Sequence, residues 1–385
     1  MTDTAGWRPE AGRRLEWVLA GAGLVGLIVA FATGPAEARS AAAQDWSPFV
    51  LVTGLLLVGL VAADDGLFEA AGYQLARLAR DGRAVFVGAT VLIGVVTAVL
   101  NLDTSVAFLT PVLVATARSR RSGEGPLLFG CLLLSNAGSL FLPGSNLTNL
   151  IVFGNRHLSG AEFLSRMWAP ALAALVVTAA VIAAVEHREL RRRSEGLTAP
   201  AQATRGLGLG AVGVVVVLVL ALSAPALPVA AVGVAVVGIR LAARRQRPRH
   251  VAEVLGVPVL AGLFGVAVAL GTIGRAWSGP SIVLSHLDVW GTAAFAAACS
   301  VLVNNLPAAS LLASRLPDRP FALLIGLNLG PNLFVTGSLA WVLWLRVART
   351  AGARPSIAKA SRLGAVAVPL SMAAALGALA LSGTR

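Results

Sequence analysis

Residues 84–117 read AVFVGATVLIGVVTAVLNLDTSVAFLTPVLVATA. The run is apolar at both ends and too long for one bilayer-spanning helix, which needs about 20 residues. At its centre stands N101-L-D-T-S105, a polar cluster that an uninterrupted lipid-facing helix would not carry. Two helical arms meeting at an asparagine tip, a re-entrant hairpin, satisfy both facts. The pattern returns at Val289–Ser314 with N304-N-L-P307 at its centre, 203 positions further on.

Each hairpin is followed by an apolar stretch broken in the middle. Pro126–Asn155 contains S135-N-A-G-S139 and P143-G-S-N146-L-T-N149, and Pro320–Arg349 contains N328-L-G-P-N332 and T336-G-S338. Gly and Pro release backbone groups from the helical ladder. Ser, Thr and Asn can satisfy them again, and such backbone is tolerated at membrane depth only inside protein or along a cavity. These two stretches are expected to be broken membrane helices, offset by 192 positions from Asn136 to Asn328.

Around them lie plain candidate spans at Leu15–Thr33, Pro48–Ala63, Trp168–Val185, Gly206–Leu222, Pro228–Leu241, Glu253–Gly271 and about 362–381. Short amphipathic connections are expected at Gly66–Arg80 and Thr272–His286. The order repeats: span, span, connection, hairpin, broken helix, span. The expected fold is therefore an all-α polytopic membrane protein of two inverted repeats, each with a hairpin and a broken helix, giving about nine full spans and two hairpins. The divisions are a cytoplasmic N-terminus at 1–14, a first repeat at 15–186 (hairpin 84–117, broken helix 126–155), a basic loop and linking span at 187–225, and a second repeat at 226–381 (hairpin 289–314, broken helix 320–349).

Composition agrees. Of 385 residues, 57% are hydrophobic and 13% charged, and the mean hydropathy is +0.80. A soluble core could not hide that much apolar surface. The net charge of +13 would suggest nucleic acid in a soluble protein, but here the basic residues punctuate apolar runs, so lipid headgroups are the expected partner and nucleic acid is not. With the N-terminus in the cytoplasm and both hairpins returning to their own side, 24 of the 31 basic residues fall inside. That asymmetry follows the positive-inside rule and predicts an inner-membrane, multi-pass protein of inverted repeats. The first apolar run lacks a small-residue cleavage site and is expected to be a span rather than a signal peptide.

Inverted repeats with paired broken helices place a solute site near the bilayer midplane. The expected binding groups are Asn101, Thr104, Asn136, Ser139, Gly144, Ser145, Asn146, Asn304, Asn305, Asn328, Gly330, Thr336, Gly337 and Ser338. Nearly all are neutral hydrogen-bonding groups or bare backbone, and the plainer reading is that they cap half-helices. Asp103 is the only one of 18 acidic residues expected deep in the membrane, and is the proton-coupling candidate. Its alternative role is to cap the second hairpin arm. Asp64, Asp65 and Glu69 are expected at a solvated helix end. Cys131 and Cys299 are expected as small core residues, and no catalytic group, metal site or cofactor is expected.

The segments A63-D-D-G-L-F-E-A70, N101-L-D-T-S-V-A-F-L-T-P-V112, S135 to N149, V303-N-N-L-P307 and I325 to W341 resemble the arsenical pump membrane protein (arsenite permease) family of the ion transporter superfamily. The superfamily also holds citrate and dicarboxylate carriers, and some sodium/proton carriers. The Ser-Asn-Thr triplet of the dicarboxylate branch is absent from both tips. The resemblance implies a midplane site and proton-driven export of arsenite or antimonite. It also implies, for some such systems, a soluble arsenite-stimulated ATPase as partner. A sodium/proton antiporter or sodium-coupled small-anion carrier on the same scaffold is the alternative. A channel-like protein is a further one, and oligomeric state is left open.

Overall fold

The computed structural model describes residues 9–154, 158–191 and 206–383, with side chains in the first helix from Glu16 onward. Every regular element among them is helical. The chain runs through α1 (Pro9–Thr33), α2 (Pro35–Asp64), α3 (Leu67–Leu78), then α4 (Gly82–Leu100) and α5 (Leu102–Ser119), the arms of the first hairpin. The first broken helix comprises α6 (Gly125–Gly138), a 3-10 turn at Pro143–Ser145, and α7 (Leu147–Phe153). Next come α8 (Gly160–Val185), α9 (His187–Leu190), α10 (Gly206–Ala221), α11 (Ala226–Ala242), α12 (Pro248–Leu255), α13 (Val257–Ala276) and α14 (Gly279–His286). The second hairpin pair is α15 (Val289–Val303) and α16 (Asn305–Leu312). The second broken helix is α17 (Pro320–Leu329), a turn at Gly330–Leu333 and α18 (Leu339–Thr350); α19 (Ile357–Leu381) closes the bundle.

Local chemistry sets the boundaries. Asp81 caps α4 by accepting from the Ala84 amide at 2.8 Å, and Ser159 with Glu162 forms a capping box at the start of α8. Gly256, at φ 55°, separates α12 from α13 in a backbone region that costs glycine little. The outer faces are apolar: Val87, Val91 and Val95 line the exposed side of α4, one turn apart, while Val85, Phe86, Ala89 and Ile93 are buried behind them. Such a face suits lipid rather than water. Six helical stretches among the described residues are long and apolar enough to cross a membrane: α1, α2, α4, α8, α12–α13 and α19.

Helix directions follow from close contacts. Gly262 of α13 meets the Leu19 backbone of α1, and Gly265 meets Gly23, so α1 and α13 run the same way. On α2, Ala41 meets Gly271 and Phe49 stacks edge-on against Phe264 with centroids 5.4 Å apart, so α2 runs opposite to both. Glu16 and Asp65 therefore lie at one end of the bundle, and Thr33 and Gln44 toward the other.

Several expectations need correction. The second span begins at Pro35, not Pro48, which carries Gln44 and Asp45 into the helix, where both are buried. Asp103 is thus not the only deep acid. Thr272, expected in a connection, lies inside α13, and the connecting helix starts at Gly279. Asp65 is not a solvated end: it is 2% exposed, ion-paired with buried Arg240 of α11, and accepts from the Gly208 amide of α10 at 2.7 Å. α4, expected as a re-entrant arm, is itself long enough to span, whereas α10 and α11 have 16 and 17 residues. The N-terminal stretch 1–8 and much of the basic loop, including Arg192, Arg193 and Arg205, lie outside the described residues.

Candidate functional site

The two broken helices interlock at their breaks. Asn136 Nδ2 on α6 donates to Asn332 Oδ1 at 2.8 Å, and Asn332 Nδ2 donates to the Leu133 main-chain carbonyl at 3.1 Å. Asn328 on α17 accepts from Ser139 at 2.7 Å and Asn146 at 2.6 Å, and donates to Asn149 at 2.8 Å. Thr148 approaches the same Asn328 oxygen at 3.3 Å. Asn149 in turn donates to the Ser139 and Leu142 carbonyls, and Trp341 donates to the Pro331 carbonyl at 2.7 Å. These groups are buried, so each bond gains from low dielectric and each loss would leave a costly orphan.

The expected site residues therefore divide. Ser139, Asn146 and Asn328 are committed to this lock. Ser145 is committed to the Ala98 carbonyl at the end of α4 at 3.0 Å. Four buried atoms from the expected set have no protein partner: Asn101 Nδ2, Thr104 Oγ1, Asn136 Oδ1 and Ser338 Oγ. Gly144 stands beside Leu51 and Leu55 of α2, and Gly330 packs against Ala297 and Ser300 of α15.

The tips behave differently. Asn101 adopts φ 107° and caps α5 by accepting from the Thr104 amide at 2.8 Å. Asn101, not Asp103, is therefore the cap. Asparagine is among the residues that tolerate positive φ. At the second tip, Asn304 (φ 78°) accepts from the Leu306 amide at 3.4 Å and donates to the Thr336 carbonyl at 3.2 Å. Thr336 donates to the Val301 carbonyl, and the Asn305 amide donates to the Gly337 carbonyl. Thr336 is exposed and Asn304 half-buried, and among the described hydrogen bonds none joins this patch to Asn101.

Asp103 faces a cavity of about 190 Å³. Its charged lining is Asp103, Glu16, Glu253 and Arg346; Leu56, Leu147, Leu260 and Leu339 are among its apolar walls. Arg346 is paired with Glu16 at 3.0 Å, and Glu253 with exposed Arg249 at 3.1 Å. Asp103, Leu147 and Leu339 each sit in the first turn of α5, α7 and α18. First-turn residues of three helices thus line one cavity.

Sequence reasoning missed Asn149 and Thr148, although both sit in the quoted S-N-L-T-N run. It also left Asn332 out of the site, although its i,i+4 spacing from Asn328 puts both on one helix face. Glu16, Glu253 and Arg346 come from three distant segments, and no local pattern marks them.

A bundle of apolar helices whose two broken segments interlock through buried polar side chains is the architecture of a multi-pass membrane transporter, and the likenesses to known proteins agree. The citrate transporter family (CitMHS) matches residues 12–343, and the chain belongs to that family. It is 25% identical over 380 residues to the arsenical pump membrane protein of Escherichia coli (strain K12), covering 89% of this chain and 87% of that protein. It is 26% identical over 155 residues to the Escherichia coli (strain K12) inner membrane protein YbiR, covering 40% and 41%. The solved structure of the Alcanivorax borkumensis YdaH transporter, described as having an unusual topology, superposes with a TM-score of 0.53 over 97% of this chain and 89% of that one. At 13% identity that likeness is one of fold. The likeness expected from the motifs is borne out.

Proposed function

We propose that this transporter exports arsenite or antimonite, as the neutral trihydroxide, in exchange for protons, with its N-terminus in the cytoplasm. The observation that carries this reading is the charge of the Asp103 cavity. Three carboxylates and one guanidinium line it, and that guanidinium is already paired with Glu16. A multiply charged carboxylate solute would meet repulsion there and find no free cation among the lining residues. A small neutral polyhydroxyl solute meets no such repulsion, and the carboxylates of Asp103, Glu16 and Glu253 offer it hydrogen-bond acceptors. The curated relative over most of the chain is named for arsenicals, which supports the same solute. Asp103 is the group in the cavity suited to carry the exchanged proton, since an ionisable side chain at membrane depth is retained for a function. Expression in an arsenite-sensitive host tests the substrate. Resistance to arsenite and antimonite, lost with Asp103→Asn, is expected; unchanged sensitivity would refute it.

A further inference from the structure

A second cavity, of about 270 Å³, lies across the same helix break from the first. Its lining includes Gln44, Ser47 and Leu51 of α2, Pro143 and Gly144 of the break, and the α10–α11 loop from Leu222 to Ala226. That loop is at the opposite end of the bundle from Asp103's cavity. Gly208, at the start of α10, bonds Asp65, whereas Val219 near its end stands beside Gly144. The first cavity is walled by Leu56 and Leu147, the second by Leu51 and Gly144. Along α2 the two linings are five residues apart, about 7.5 Å at 1.5 Å per residue. Between Leu51 and Leu56 on α2 lies Leu55, wholly buried, 3.7 Å from where a Cβ on Gly144 would stand.

We infer that these cavities are the two vestibules of one solute route, closed between α2 and the Pro143–Leu147 segment, with Gly144 and Leu55 as the barrier. The inference rests on the chain being a carrier but not on arsenite being its solute. A Cβ at Gly144 would lie 3.6 Å from Leu51, 3.7 Å from Leu55 and 3.9 Å from Val219. One methyl meets ordinary contacts there, and anything larger meets a filled space. A glycine at the closure leaves room for a small solute to pass when α2 and the break separate.

The test uses the full chain in sealed vesicles, on a Cys131→Ala, Cys299→Ala background, with a charged membrane-impermeant maleimide. Ser47→Cys and Gly144→Cys are expected to react from one side only, and Ala107→Cys, in the first cavity, from the other only. Reaction of Gly144→Cys from the Ala107 side would overturn the inference, as would its failure to react while Ser47→Cys does. Transport is a second readout that does not depend on labelling. Gly144→Leu is expected to slow it by roughly tenfold or more through overpacking, and more than Gly144→Ala does. Equal rates for Gly144→Leu and the parent, with either solute, would also overturn it, whereas a failure of arsenite alone leaves the labelling pattern unchanged.

Discussion

Asn136 and Asn332, 196 positions apart, share a 2.8 Å side-chain hydrogen bond that joins the break of one broken helix to the break of the other. The bond is buried at both ends, and Asn328 makes a parallel set of contacts to Ser139, Asn146 and Asn149. The lock holds two irregular backbone segments in register at a depth where water is scarce.

Removing one partner leaves the other under-bonded. Asn332→Ala or Asn136→Ala is expected to cost about 1–3 kcal/mol, and Asn328→Ala more, because it has more side-chain partners. The double variant Asn136→Ala, Asn332→Ala should cost less than the sum of the singles. Thermal unfolding in detergent reads this directly. Additive losses would mean that the pair is not coupled.

The hairpin tips should respond in the opposite sense, with transport lost and the fold kept. Glycine is the suitable replacement, because Asn101 and Asn304 sit at φ 107° and 78°, where alanine would add strain. Asn101→Gly costs the α5 cap only about a few tenths of a kcal/mol and removes the unsatisfied Nδ2 group. A marked fall in flux is expected, with membrane insertion unchanged. Asn304→Gly tests whether the second tip takes part in the same cycle; wild-type flux would make that tip structural.

Much of this was legible beforehand. The two Asn tips, the two breaks and the family likeness all stand on local motifs, where polar residues inside apolar runs have few explanations. The committed and uncommitted groups could not be told apart, because Ser139 and Ser338 are the same residue type and only tertiary partners distinguish them. Asp65 was misread for a similar reason. An acid at a predicted helix end looks solvated until Arg240, on another helix, is seen to cover it.

That ion pair carries its own expectation. Asp65→Ala would strand a buried guanidinium and is expected to cost about 3–5 kcal/mol, whereas replacing both partners with apolar residues should recover much of the loss. Yield of folded protein and unfolding temperature measure it. A neutral Asp65→Ala would show that Arg240 finds water.

Asp103→Asn separates coupling from architecture. Asn101 supplies the α5 cap, so the substitution removes a titratable charge from the cavity and leaves the cap in place. Gradient-driven efflux should collapse while solute–solute exchange persists. Efflux retained with wild-type pH dependence would move coupling to another carboxylate, with buried Asp45 first to test.

Proton-coupled export is read most directly from arsenite uptake into everted, sodium-free membrane vesicles under an imposed pH gradient, acid inside. Accumulation that requires the transporter, that a protonophore abolishes and that sodium does not stimulate is expected. No chain-dependent uptake, or uptake that requires sodium, would contradict it.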